Sequence, residues 1–301
     1  MLPAPARYFL AVFDVLGFKQ KFDALGLAEI ARRYGRLIDV VDKQNRRIEE
    51  LFGGSFRLRE SAYWVASGEL VIVNKVFGAY ASDSILIWAH SLWSEGRDKT
   101  SAERADLATD PATGWMYRGV PCDVLVEVCN ELICHSIEAG LPLRGALAMG
   151  DTALDLEHRV FLGAPLIEAA TLERGQRMIG ASFCPSFMNQ TIPGRFRLSF
   201  DAHVKEEFRT SFGGATLDWP RHWRKTRQGS PRPHIRRLGR GANDRSIYYD
   251  NTLSLCDLSD QWRDMHESPE DVSIQSVYEA FSSPELEASV IPVRSVAPQQ
   301  R

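Results

Sequence analysis

The stretch FLAVFDVLGF, residues 9–18, constrains this chain more than any other. Its Phe, Leu, Ala and Val residues run without the polar alternation of a half-exposed strand. They therefore read as a strand buried on both faces, in the middle of a sheet. Asp14 interrupts that run. An ionised carboxylate buried without a partner costs several kcal/mol, so Asp14 must be protonated, meet a basic side chain or face a cation. Gly17 follows, a residue that lets the chain turn sharply and present N–H groups at the strand end. Strand, acid and turn together suggest a metal and phosphate site, although the same letters also fit a helix cap or a salt-bridge acid.

The 301 residues suffice for one large domain or a domain with an extension. A formal net charge of −3 gives no general attraction to nucleic acid or anionic membrane, so neither is expected as a partner. The five cysteines, Cys122, Cys129, Cys134, Cys184 and Cys256, form no CxxC pair. Their odd number argues against a secreted disulfide framework, and a reducing cytoplasm is the expected compartment. Asp14 would spoil an export signal, and no window approaches about 18 uncharged apolar residues, so no membrane span is expected.

Taken in order, residues from about Leu27 to Phe52 show helical spacing of apolar positions up to Gly53-Gly54. Two strand-like runs follow, Glu69 to Val76 and Ala79 to Trp88, with Phe77-Gly78 as the expected hairpin turn. Asp83 then falls near the start of the second strand. Residues of about 91–117 are polar and read as an insertion. A helix is expected over roughly Val120 to Ala139, stopped by Gly140 and Pro142. Leu143 to Gly150 is a short strand, with Asp151 as a turn residue, and Val160 to Gly163 is another strand. Pro165 then opens a helix ending near Gly175. Phe196–Phe200 and Ser246–Asp250 are read as further strands, residues 221–240 as a Pro, Gly and Arg-rich loop, and the chain after Ile291 as a tail. The order strand, helix, strand, strand, helix, strand predicts an α+β domain of ferredoxin-like architecture, an antiparallel sheet covered by helices on one face.

Asp14 and Asp83 are the candidate chemical pair. In a ferredoxin-like sheet the first strand lies beside the central hairpin, so two acids at matching heights could bracket hard cations. Two cations there would lower the pKa of an attacking hydroxyl and neutralise a phosphate, which is phosphoryl-transfer chemistry. With Ser82 and Ser84 on either side, Asp83 reads equally well as a turn cap.

Four segments in order, FDVLGF, YASDSILIWA, PLRGALAMGD and FLGAPLIEAATLE, resemble the class III nucleotidyl cyclases over roughly residues 7–90 and 120–178. Within that superfamily they look most like the pyrimidine cyclases of the bacterial Pycsar anti-phage systems. The resemblance implies a cyclase catalytic domain over 1–185, with a C-terminal extension over 186–301 packed on it. It implies a homodimer with active sites at the subunit interface and two divalent cations, Mn²⁺ or Mg²⁺, on Asp14 and Asp83 beside the carbonyl of Val15. The backbone of Leu16, Gly17 and Phe18 would cradle the phosphates of a nucleoside triphosphate. The 3′-hydroxyl would attack the α-phosphorus and release pyrophosphate, and a separate effector would sense the cyclic product.

Departures from the purine cyclases are as informative. Their ribose-contacting Asn and transition-state Arg correspond here to Ile167 and Thr171, and their base-reading lysine and acid fall near Ala79–Tyr80 and near Val160. Arg144, Arg174 or Arg177 could replace the missing charge, or each could be a surface or helix-end arginine. Tyr80 fits a reader of a smaller base, and UTP is favoured over CTP by frequency within the family. A degenerate cyclase that binds nucleotide without turnover is the alternative from a different class. A dinucleotide cyclase would show a Gly-Gly-Asp/Glu-Glu-Phe hairpin, which Tyr80-Ala-Ser-Asp83-Ser is not. The histidines, His135 and His158 among them, lack ligand spacing. Trp219 and Trp223 beside the basic 221–240 stretch could contact nucleic acid or a triphosphate, but a solvated loop is the plainer reading.

Overall fold

The computed structural model describes residues 6–51, 61–66, 69–91, 122–155, 158, 160–190, 192, 194–240 and 245–266. Beyond Ser91, the expected insertion lies outside the described residues, as does the expected tail.

The chain runs β1 (Ala6–Val15), α1 (Phe18–Leu51), β2 (Ser61–Ala66), β3 (Glu69–Asn74), β4 (Phe77–Ala81), β5 (Ser84–His90), α2 (Asp123–Ala139) and β6 (Leu143–Asp155). There follow β7 (Val160–Leu162), α3 (Ala164–Gly175), β8 (Gly180–Phe183), α4 (Pro185–Met188), β9 (Arg197–Leu198) and β10 (Thr216–Leu217). Three helices close the described chain, α5 (Trp219–Thr226), α6 (Arg232–Gly239) and α7 (Ser246–His266).

β1 is the central strand, as its apolar run predicts. It pairs antiparallel with β5 on one side and with β6 on the other, and β4 lies outside β5. The sheet order β4-β5-β1-β6, with α1 and α2 as the two crossovers, is that of the ferredoxin-like fold, and the α+β class is as expected. The sheet continues through β8, β10 and β9, and β8 runs parallel to β6. That parallel pair departs from the all-antiparallel expectation, because α3 carries the chain back between β6 and β8 as a crossover helix.

Helices cover both faces of the sheet rather than one. Along β1, Phe9, Ala11, Phe13 and Val15 face a core built with Leu37 and Ile48 of α1 and Leu125, Leu132 and Ile133 of α2. Leu10 faces the other way, into a second cluster with Trp88, Ala146, Ala148 and, from α3, Ala169 and Leu172. The period of two along a strand divides these residues, and each fully buried Phe, Leu or Ile contributes about 1.5–3 kcal/mol.

Several expectations are corrected. Phe77-Gly78 is not a turn: it begins β4, and the hairpin turns at Ser82-Asp83, where Ser82 takes φ 57°. Glu69–Asn74 instead pairs with Ser61–Ala66 in a separate two-stranded sheet. Asp151 lies inside β6 rather than at a turn, and Ser246–Asp250 forms the first turns of α7 rather than a strand. The 221–240 stretch carries α5 and α6, and Trp219 and Trp223 are buried, so neither indole is available to stack on a base. Arg227 is bound by Glu131 at 3.0 Å, and Arg232 by Asp257 at 2.7 Å and Asp260 at 2.6 Å. Among the described residues no helix is long and apolar enough to cross a membrane.

Candidate active site

Asp14 lies one residue from the end of β1, opposite Ser84 of β5 and opposite Arg144 of β6. Alternation sets it on the face of Leu10 and Val12, the face that α3 covers. Asp83 occupies the β4–β5 turn directly alongside, and its carbonyl accepts a 3.0 Å hydrogen bond from the Val15 N–H. The hairpin that carries Asp83 is pinned to α1 by the buried Asn45, whose amide bonds both the carbonyl and the N–H of Val76, at 2.8 and 3.0 Å.

The Asp83 carboxyl is near enough to act on that of Asp14. Asp14 is held above the ordinary carboxylate range, by burial first, with the neighbouring Asp83 adding to the effect and Arg144 opposing it. Arg144 lies 3.3 Å from Asp14 and 2.5 Å from Glu173 at the end of α3, and its guanidinium sits 5.9 Å from the Tyr248 ring centre. It also donates to the Gln176 carbonyl at 3.3 Å. Glu173 is itself pushed up, chiefly by burial. Two carboxyls therefore meet one guanidinium, with Asp83 beside Asp14, a surplus of acid that a cation would offset.

The turn after β1 is shaped as expected, with Gly17 at φ 70°, a conformation that would strain other residues. Its hydrogen bonding departs from expectation at one point. The Leu16 N–H is already donated to the Pro142 carbonyl at 2.9 Å, so that amide is not available to a ligand. The N–H groups of Phe18, Lys19 and Gln20, in the first turn of α1, remain beyond the reach of intrahelical acceptors and favour an anion. Arg245 lies against Gly17 and donates to Gln20 Oε1 at 2.5 Å.

The structure thus brings Asp14, Val15, Asp83, Gly17, Phe18 and Arg144 together, and places Tyr80 against Tyr34 of α1. The Tyr80 ring packs edge-on against Tyr34 of α1, with centres 6.2 Å apart, and lies on the α1 face of the sheet. Ala79, its neighbour, faces the side of Asp14. Ile167 is exposed, and the Thr171 hydroxyl donates at 2.7 Å to the carbonyl of Ile167 in its own helix. Arg174 likewise donates to the Ala170 carbonyl of its own helix, at 3.2 Å, so of the three candidate arginines Arg144 is the one beside the acids.

Glu173, Tyr248 and Arg245 escaped sequence reasoning. Glu173 carried a faint signal as an acid on the apolar face of α3, where Ala169 and Leu172 are fully buried. Tyr248 and Arg245 carried none, since contacts spanning 104 and 225 residues leave no local pattern.

The donor set fits a hard divalent cation: two carboxylates that repel unless something positive separates them, beside the oxygen-rich end of a strand. Among the described residues no group of three or more His, Cys, Asp or Glu gathers to hold an ion.

No protein-family model matches the chain, and no curated protein matches it. Among solved structures, it is similar to the guanylate cyclase domain of RhGC from Catenaria anguillulae in complex with GTP, at 14% identity and a TM-score of 0.38, over 70% of this chain and 93% of that one. It is also similar to the adenylyl cyclase CyaB from P. aeruginosa, at 13% identity and a TM-score of 0.35, over 71% of this chain and 93% of that one. A third is a bacterial light-regulated adenylyl cyclase, at 11% identity and a TM-score of 0.41, over 79% of this chain and 58% of that one. At such values the strand order and the residues of the site carry the functional reading.

Proposed function

We propose that this chain is a class III nucleotidyl cyclase that converts UTP to 3′,5′-cyclic UMP and pyrophosphate, working as a cytoplasmic homodimer in bacterial anti-phage defence. The observation that carries the reading is the meeting of Asp14 and Asp83 at the end of the central strand, beside a glycine turn that opens a helix. That meeting joins two of the four sequence segments that resemble the family.

Asp14, Asp83 and the Val15 carbonyl would hold two divalent cations, Mn²⁺ or Mg²⁺. When bound, these neutralise phosphate charge and ease deprotonation of a ribose hydroxyl. The chain's own groups position the substrate. The open N–H groups at the start of α1 and the guanidinium of Arg245 favour the phosphate chain at the Gly17 turn. Arg144, paired with Glu173 and bonded to the Gln176 carbonyl, keeps positive charge beside the acids. No side chain is needed as a general base. The cyclic product would act on a separate effector.

A pyrimidine fits because the purine-reading lysine and acid fall near Ala79–Tyr80 and near Val160, where the chain has neither a lysine nor an acid. Tyr80 is assigned a packing role, against the sequence-based expectation, since its ring packs edge-on against Tyr34 among the core residues of the α1 face.

Incubating the dimeric protein with each of the four ribonucleoside triphosphates and Mn²⁺, with products identified by mass, tests the reading. Cyclic UMP is the expected product; a cyclic purine product would refute the base assignment, and no product from folded dimer would favour the silent nucleotide-binding alternative. In the same assay Tyr80→Phe is expected to leave the order of substrate preference unchanged. A reordered preference would return the base-reading role to Tyr80.

A further inference from the structure

A second candidate site lies among α1, α2 and α6, in a pocket that neither Asp14 nor Asp83 lines. Gly26, at φ 76° and ψ 165°, breaks α1 into two pieces, a conformation that favours glycine. Lys21, before the break, and Arg32, Arg33 and Arg36, after it, line one pocket of about 490 Å³ with Arg237 of α6 and Glu138 near the end of α2.

The charges in this pocket are out of balance. Five of those side chains are cationic and one is acidic, in a chain whose formal net charge is −3. The acid, Glu138, is committed to Arg227 at 3.1 Å. Arg32 and Arg33 share the single carboxylate of Glu29, each at 2.7 Å. Among the described residues, the side chains of Lys21 and Arg36 make no ion pair. Lys21 is half-buried, and its ammonium is held below the usual lysine range by burial first, then by Arg33 and Arg245. Like charges gathered in a concavity raise each other's energy, and a multivalent anion relieves all of them at once. Guanidinium forks match phosphate oxygens in pairs, and the volume suits a small molecule with several phosphates.

We propose that this pocket binds a small polyphosphate anion, either inorganic or the phosphate chain of a nucleotide, at a site separate from the Asp14–Asp83 pair. The pocket lies among α1, α2 and α6, and neither Asp14 nor Asp83 lines it. The inference does not depend on the cyclase reading, because it concerns binding without turnover.

The test is calorimetric titration of the metal-free full chain with inorganic tripolyphosphate and, separately, with UTP. The wild type is expected to bind tripolyphosphate, more weakly as salt rises. A Lys21→Gln/Arg36→Gln variant, with its thermal midpoint unchanged, should bind about tenfold more weakly or worse, as expected when two cationic contacts are lost. Asp14→Asn should bind tripolyphosphate as the wild type does. Tighter binding of UTP than of tripolyphosphate that is likewise weakened in the Lys21→Gln/Arg36→Gln variant supports a nucleotide as the ligand, and equal binding supports the phosphate chain alone. No binding by the wild type, equal binding by the double variant, or loss of binding in Asp14→Asn would overturn the proposal.

Discussion

Asp83→Ala is expected to abolish turnover while the protein keeps its fold, and Asp14→Ala should do the same. Each substitution removes one of the two carboxylates that would hold divalent cations. The charge stabilisation forfeited is several kcal/mol, and each ~1.4 kcal/mol is a factor of ten, so a loss of about a thousand-fold or more follows. The fold survives for a reason visible in the site. Asp14 is held above its ordinary range by burial and by Asp83, so its ionised form strains the metal-free protein. Asp83 lies in a two-residue turn, and its backbone carbonyl, not its side chain, ties the turn to β1. Steady-state rates with circular dichroism of the same samples decide the matter. Activity within tenfold of wild type in either variant would remove the two-metal assignment.

The second large effect belongs to stability. Arg144 and Glu173 pair at 2.5 Å with side-chain exposures of 13% and 8%. Removing one partner of a buried pair leaves the other charge without compensation, which costs about 3–5 kcal/mol. Arg144→Ala is therefore expected to lose about that much in urea unfolding, and adding Glu173→Gln should recover most of it. If Arg144→Ala costs under about 1 kcal/mol, the pair is a screened surface contact. If the double variant is no more stable than Arg144→Ala alone, the loss lies in the other Arg144 contacts, with Tyr248 and the Gln176 carbonyl.

Much of the ferredoxin-like frame was legible because its signals are local. β1 announced itself by an apolar run that only a doubly buried strand tolerates, and α2 by apolar residues at helical spacing ended by Gly140, which takes the left-handed cap at φ 75°. The Ser82-Asp83 turn was less legible. It contains no glycine, asparagine or proline, and Phe77-Gly78 offered a more conventional turn signal that β4 absorbs into a strand.

The C-terminal third resisted reading because its structure is stabilised at a distance. α5 and α6 are short and rich in arginine and proline, with little intrinsic reason to fold. Their order comes from Trp219 and Trp223 entering the core and from pairs such as Arg227–Glu131 and Arg232–Asp257, whose partners lie elsewhere in sequence. Ser246–Asp250 looked like a strand because aromatic and β-branched residues favour sheets, yet it starts a helix of 21 residues. In the site, Asp14, Asp83 and the Gly17 turn were readable. The orientation of Tyr80 was not, because the two faces of β4 are distinguished only once its pairing with β5 is known.

The account stands or falls on whether the paired acids hold a cation, and thermal unfolding at pH 7 with and without Mn²⁺ asks this most directly. Because the folded state raises the Asp14 pKa, it binds that proton more tightly than the unfolded chain does. The associated stability is complete below the ordinary carboxylate range and is lost as pH rises through the raised value. At pH 7 without metal, Asp14→Asn is therefore expected to melt above the wild type. Mn²⁺ should then raise the wild-type midpoint, by about 2.7 kcal/mol of stability at a hundred times Kd, and leave Asp14→Asn where it was. The same rise in both proteins, or none in the wild type, would contradict the assignment of Asp14 and Asp83 as a divalent-cation site.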